Sequence, residues 1–64
     1  MKRQEELVQQ YLQGANGDPC QAAKAIKRDI ETLPLPISAE ELIAHLMARD
    51  KLTELAEQVN HEGD

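Results

Sequence analysis

The chain has few side chains that are large enough to fill a hydrophobic core. Its 64 residues include no phenylalanine, no tryptophan and one tyrosine, and eight of its apolar residues are alanine. Because ordering each residue costs about 1.5 kcal/mol, a chain this short is stable only if nearly all of its large aliphatic side chains are buried. A partner chain would help. We expect a single helical domain over residues 1–64.

Two segments in the first half have the spacing and the boundary residues of helices. The first covers about 2–13 and places its large apolar residues on one face. Gly14 is predicted to end it by adopting the left-handed conformation. The second covers 19–33, with Asp18 as N-cap and Pro19 in the first helical position, where its missing N–H is not needed. The apolar face of the first helix consists of Leu7, Val8, Tyr11 and Leu12.

Prolines at 34 and 36 interrupt the helical pattern before the last segment. Each proline pushes the residue before it towards extended geometry, so this stretch is predicted to be a short connector. Ser38 followed three residues later by Glu41 is a capping box. The third helix is therefore predicted to begin at Ala39.

The length of this third helix stays open, because its apolar residues lie on two opposite sides at 100° per residue. The two sides are Leu42, Ile43, Leu46 and Met47 on one and Ala48, Leu52, Leu55, Ala56 and Val59 on the other. Either the helix breaks near Asp50 into helices over about 39–49 and 51–60, or it is one continuous helix. In the second case its first half packs into the core of its own chain and its second half packs against a partner chain. Residues 61–64 are expected to be a frayed tail. The fold class is all-α, a small bundle of three or four short helices.

The charge of the chain disfavours several kinds of partner. Twelve acidic residues against seven basic ones give a formal net charge of −5, and residues 34–64, with seven acidic and two basic residues, carry that same −5. Phosphate backbones and anionic lipid surfaces both repel such a chain. Cys20 is the single cysteine, so no internal disulfide forms, and the apolar runs are too short for a signal or membrane segment. We expect a cytoplasmic protein with no membrane role.

No arrangement of reactive side chains predicts catalysis or metal binding. The acidic pairs at 5–6 and 40–41 lie in first helical turns, where they complement the helix dipole. His45 and His61 are far apart and lack the spacing of zinc ligands. Cys20 is predicted to be a half-buried structural cysteine, with a redox-sensitive or disulfide-linked role as the alternative. We expect no enzymatic activity, no cofactor, no metal and no small-molecule ligand.

The stretch 11–26 contains a short helix, a Gly/Asn turn and the run Gln-Ala-Ala-Lys-Ala-Ile. It resembles the opening of helix-turn-helix domains over about a quarter of the chain. In those domains a glycine-containing turn and a recognition helix follow directly, whereas here 27–31 continues the helix, and the next helix carries Glu40 and Glu41 near its start. The resemblance implies an alternative function, a small helix-turn-helix-like DNA-binding regulator that acts as a dimer. Its phosphate contacts would come from a basic patch of Lys24, Lys27 and Arg28; the competing interpretation of that patch is a solvated face.

The preferred hypothesis is a small, non-enzymatic protein–protein interaction module, regulatory or adaptor-like, that associates with itself as a homodimer. Its basis is the divided apolar pattern after Ser38, which offers more hydrophobic faces than a bundle of this size can cover. The predicted partner interface consists of His45, Ala48, Leu52, Leu55, Ala56 and Val59.

Overall fold

The fold is a bundle of three α-helices, given by a computed structural model that describes residues 2–62, with side chains through residue 59. The helices are α1 (Arg3–Gly14), α2 (Pro19–Glu31) and α3 (Ala39–Glu62). The described residues include no strand, which confirms the all-α prediction. The predicted tail over 61–64 begins inside α3, and its last two residues lie outside the described part of the chain.

The end of α1 differs from the prediction in the residue that closes it. Gly14 is the last helical residue, and the left-handed conformation is adopted by Asn16 (φ 57°) and Gly17 (φ 81°). The Gly17 amide donates to the Leu12 carbonyl at 2.7 Å, and the Asn16 amide donates to Gln13 at 3.2 Å. This pair of bonds is a Schellman motif, which uses Asn at the position that glycine most often occupies. The prediction that Gly14 supplies the left-handed residue is therefore wrong by two positions.

The caps of α2 come from side chains at both ends. The Asp18 carboxylate accepts from the Cys20 amide at 3.0 Å, with Pro19 in the first helical position, so the predicted start is confirmed. At the other end the Thr32 hydroxyl donates to the Arg28 carbonyl at 3.2 Å. The helix ends at Glu31 rather than at the predicted residue 33, since the proline at 34 favours an extended conformation for the residue before it.

The third helix is continuous, which resolves the alternative left open by the sequence. Ser38 Oγ accepts from the Glu41 amide at 3.2 Å, so α3 begins at Ala39 as predicted. No glycine or proline interrupts the segment 39–59, and the helix passes Asp50 without a break. The short helices predicted over 39–49 and 51–60 are one element.

The core is small and rich in alanine. The fully buried large side chains are Ile26 on α2 and Leu52 on α3. Small side chains at the contact let helix axes approach closely, and four of the seven core residues are alanines divided between α2 and α3. The core consists of Leu7, Ala22, Ala23, Ile26, Ala44, Ala48 and Leu52.

The direction of the helices follows from the residues that meet at the two ends. Arg3 in the first turn of α1 donates to Glu41 in the first turn of α3, with Nε to Oε1 at 3.0 Å. At the other end Leu12 of α1 and Leu55 of α3 line one groove, and Pro19 at the start of α2 lines the same groove. Helices α1 and α3 therefore run parallel, and α2 runs in the opposite direction.

Candidate functional site

The predicted partner interface is placed largely on the inward side of α3. Ala48 and Leu52 are fully buried and His45 is 8% exposed, all within the single chain. Leu55 and Ala56 are half-buried, and Val59 is 50% exposed. This side of α3 packs on α1 and α2, so a second chain would have to compete with the bundle itself for His45, Ala48 and Leu52.

His45 belongs to a polar cluster that joins α1 to α3. Its Nδ1 lies 2.7 Å from the Glu41 carbonyl oxygen, and because a carbonyl only accepts, Nδ1 donates. The Glu41 carboxylate accepts from Arg3 of α1, whose guanidinium also pairs with Glu6 at 3.2 Å. These ion pairs are exposed, so solvent screens them and they contribute little to stability. The cluster positions two helix starts and offers no reactive group aimed at a cavity.

Neighbouring exposed apolar side chains lie on the outward side of α3, in a set of residues that we name the α3 stripe. Ile43 is 53% exposed, Met47 47% and Leu42 37%, while Leu46 is half-buried. Their i, i+1, i+4, i+5 spacing makes one continuous row over two helical turns. The α3 stripe consists of Leu42, Ile43, Leu46 and Met47.

The inward side of α3 differs from the one-helix alternative of the sequence analysis. In that alternative the first half of the helix, with the α3 stripe, packs into the core of its own chain and the second half contacts a partner. Instead Ala44 and Ala48 face inward with Ala22 and Ala23 of α2. The physical reason is the size of these side chains, because alanine on both helices permits the close approach that Ile43 would prevent.

Acidic side chains border the α3 stripe. Glu40 lies before it and Asp50 and Glu54 lie after it, all exposed. The two basic residues that α3 itself contributes here are Lys51, which is exposed, and Arg49, whose Nη2 pairs with Asp50 Oδ1 at 3.1 Å. The α3 stripe is therefore an apolar row between carboxylates.

A groove between α1 and α3 runs along one edge of the α3 stripe. Its apolar part is formed by Val8 and Met47, and Glu5 and Lys51 stand on opposite walls. The groove encloses about 560 Å³. The remaining lining residues are Gln4 and Gln9. An elongated apolar row beside a groove has the form of a surface that binds an amphipathic helix.

The basic patch lies on α2, and its Lys27 lines a groove together with Arg49 of α3. Lys24, Lys27 and Arg28 are all exposed there. Beyond Glu31 the chain enters a connector over 32–38, in which the Leu35–Pro36 peptide bond is cis. The patch is thus not followed by the turn and recognition helix that the helix-turn-helix resemblance implies.

A hydrogen bond that ties α1 to α2 was not predicted from the sequence. The Tyr11 hydroxyl donates to the Asp29 carboxylate. Burial, together with this hydrogen bond, raises the pKa of Tyr11 to about 12. The sequence signal for the tie was the placement of the one tyrosine on the apolar face of α1, because a partly buried phenol usually has a hydrogen-bond partner.

Neither the comparison with known proteins nor the placement of the reactive side chains indicates a function for this chain, so the α3 stripe is the surface whose role is to be explained. A scan against protein-family models and searches of the curated proteins and of the solved structures found no match. Within residues 2–59 no three His, Cys, Asp or Glu side chains are grouped so as to hold a metal ion. Cys20 is half-buried at the start of α2, and the side chain of His61 lies outside the described residues. No helix in the described range is long and apolar enough to cross a membrane.

Proposed function

We propose that this chain is a small, non-enzymatic, adaptor-like module that binds a helix of another protein on the α3 stripe. The observation that carries the proposal is the exposure of Leu42, Ile43 and Met47 in a chain that is short of large aliphatic residues. Because these side chains are already about half-buried, completing the burial of each one stabilises a complex by about 1 kcal/mol, roughly half of the value for a fully exposed side chain. A partner helix laid along α3 gains this burial without disturbing the bundle.

The size of the stripe favours a short helix as the partner. Residues 42–47 rise about 8 Å along α3, at 1.5 Å per residue. Stable interfaces between folded proteins bury about 800 Å² on each partner, which is more than four side chains present. Helices that dock in grooves use two or three apolar anchors at i, i+3 or i+4 spacing. The homodimer expected from the sequence stays a prediction, and the helix-turn-helix alternative is not part of the proposal.

The test is a selection of helical peptides displayed on phage, carried out against the intact chain. Selected peptides are then measured against the double variant Ile43→Ser/Met47→Ser, which we name the stripe variant. The matched control is Leu35→Ser, which removes an apolar side chain that is 85% exposed in the connector. We expect enriched peptides to be amphipathic and to lose affinity for the stripe variant but not for the control. Absence of enrichment, or equal binding to the stripe variant, contradicts the proposal.

A further inference from the structure

We infer that the helix bound by the α3 stripe is basic, with lysine or arginine residues on both sides of its apolar anchors. The inference rests on the proposed function and names the chemistry of its partner. It comes from the charges along the outward side of α3 and across the neighbouring groove. The exposed carboxylates of that surface are those of Glu5, Glu40, Asp50, Glu54 and Glu57.

These carboxylates lie where the ends of a docked helix must pass. Glu40 and Glu54 are fourteen residues apart, which is about 21 Å along the helix axis. A partner helix of about fourteen residues laid along α3 thus meets a carboxylate near each end and places its apolar anchors on Ile43 and Met47 between them. Of the basic side chains near this surface, Arg49 is already paired with Asp50, and Lys27 of α2 lines a groove on the α2 side of Arg49. Basic residues on the partner would complement this border and would speed association.

A second copy of the chain fits this surface less well. Each copy carries a formal charge of −5, and two identical acidic borders would be brought together. In a parallel arrangement each carboxylate faces the same residue of the second copy. In an antiparallel arrangement Lys51 approaches Glu40 of the second copy, but Asp50 approaches it as well. Like charges in close apposition disfavour a partner, so the charge pattern favours a basic helix.

The experiment uses two labelled model peptides and the intact chain, measured by fluorescence anisotropy at 0.15 M salt. Both peptides have leucine at i, i+3, i+4 and i+7; one has lysine and the other has glutamate at the remaining positions. We expect the lysine peptide to bind about tenfold more tightly than the glutamate peptide. The affinity for the lysine peptide should be about tenfold lower in the stripe variant and unchanged in Leu35→Ser. Circular dichroism verifies that each variant keeps its helicity.

Charge variants separate a local border from the overall charge of the chain. Glu54→Lys should lower the affinity of the chain for the lysine peptide by about threefold or more, and Lys51→Glu should raise this affinity by about threefold. The matched control is Lys24→Glu, which makes the same charge change on the outward side of α2 and should alter affinity by less than about twofold. An effect of Lys24→Glu equal to that of Lys51→Glu would overturn the inference, because binding would then follow net charge alone.

The remaining outcomes distinguish the inference from the proposed function. If the glutamate peptide binds as tightly as the lysine peptide and the stripe variant loses both, the docking function stands and the basic partner is wrong. If neither peptide binds, the basic partner is wrong, and the phage selection decides the docking function. If binding is unaffected in the stripe variant, both are wrong. If light scattering shows a dimer that the stripe variant dissociates, the occupant is a second copy, and the inference is wrong.

Discussion

The inward and outward sides of α3 use side chains of different size for different purposes. Inward, Ala44 and Ala48 are buried and Leu52 fills the space near the middle of the bundle. Outward, Ile43 and Met47 are about half exposed. Burial on this helix thus follows the fit to α2 rather than the hydrophobicity of each residue, because two alanine-bearing surfaces approach more closely than branched ones can. The larger outward side chains remain available for another molecule.

The largest expected effect comes from emptying the inward side. Leu52→Ala should lower the free energy of unfolding by about 2–5 kcal/mol, since it removes a fully buried side chain and leaves a cavity. The outward counterpart Ile43→Ala should cost less than about 1 kcal/mol. Urea denaturation followed by circular dichroism measures both values. Equal losses of unfolding free energy in the two variants would show that the inward and outward sides of α3 contribute equally to stability.

Overfilling the inward side should have the next largest effect. Ala48→Leu forces α2 and α3 apart and should cost about 1–3 kcal/mol of unfolding free energy. The same increase in size at an exposed alanine, Ala25→Leu on α2, serves as the control and should be close to neutral. If Ala48→Leu stabilises the chain, close approach through alanine is not what selects the inward side.

The tie between α1 and α2 should contribute a smaller amount. Tyr11→Phe removes the hydroxyl that donates to Asp29 and should cost about 1 kcal/mol at neutral pH. The pKa of Tyr11 is raised to about 12 in the folded chain, against about 10 in an unfolded one. The protonated phenol therefore stabilises the fold fully below pH 10, and this contribution is lost as the pH rises from 10 to 12.

The measurement for this tie is the difference in unfolding free energy between wild type and Tyr11→Phe as a function of pH. We expect the difference to be constant up to about pH 10 and to shrink above it, as the phenol of the wild type loses its proton. Subtraction of the variant removes the titration of lysines, which both chains share. A difference that grows above pH 10 would contradict the assigned hydrogen bond.

The smallest stability effects are expected on the outward side, where the charge changes of the border lie. Glu54→Lys and Lys51→Glu should each change the free energy of unfolding by less than about 0.5 kcal/mol, because both residues are exposed. Thermal unfolding followed by circular dichroism provides the comparison with wild type. A shift as large as that of Ala48→Leu would mean that the border is part of the packing of the bundle.

The local features of this fold could be predicted from the sequence because neighbouring residues determine them. Asp18 and Ser38 each accept from a backbone amide two or three residues ahead, so a short stretch of sequence contains the whole interaction. The prediction for the end of α1 was wrong. Asn16 and Gly17 both adopt the left-handed conformation that was expected of Gly14 alone.

The orientation of α3 could not be predicted, because it depends on residues that are distant in the chain. The sequence identified both apolar sides of the helix, including every residue of the α3 stripe. Which side turns inward is decided by Ala22 and Ala23 on α2, twenty residues earlier. The apolar pattern of α3 alone does not contain this information, because it does not show how closely two alanine-bearing helices pack.

One pair of measurements on the stripe variant tests the central claim most directly, namely that the outward side of α3 binds a partner and does not hold the bundle together. The free energy of unfolding and the affinity for the lysine model peptide are measured on the wild type and on Ile43→Ser/Met47→Ser. The account predicts a change in stability of less than about 1 kcal/mol together with a loss of affinity of about tenfold. A loss of several kcal/mol in stability with unchanged affinity would contradict it.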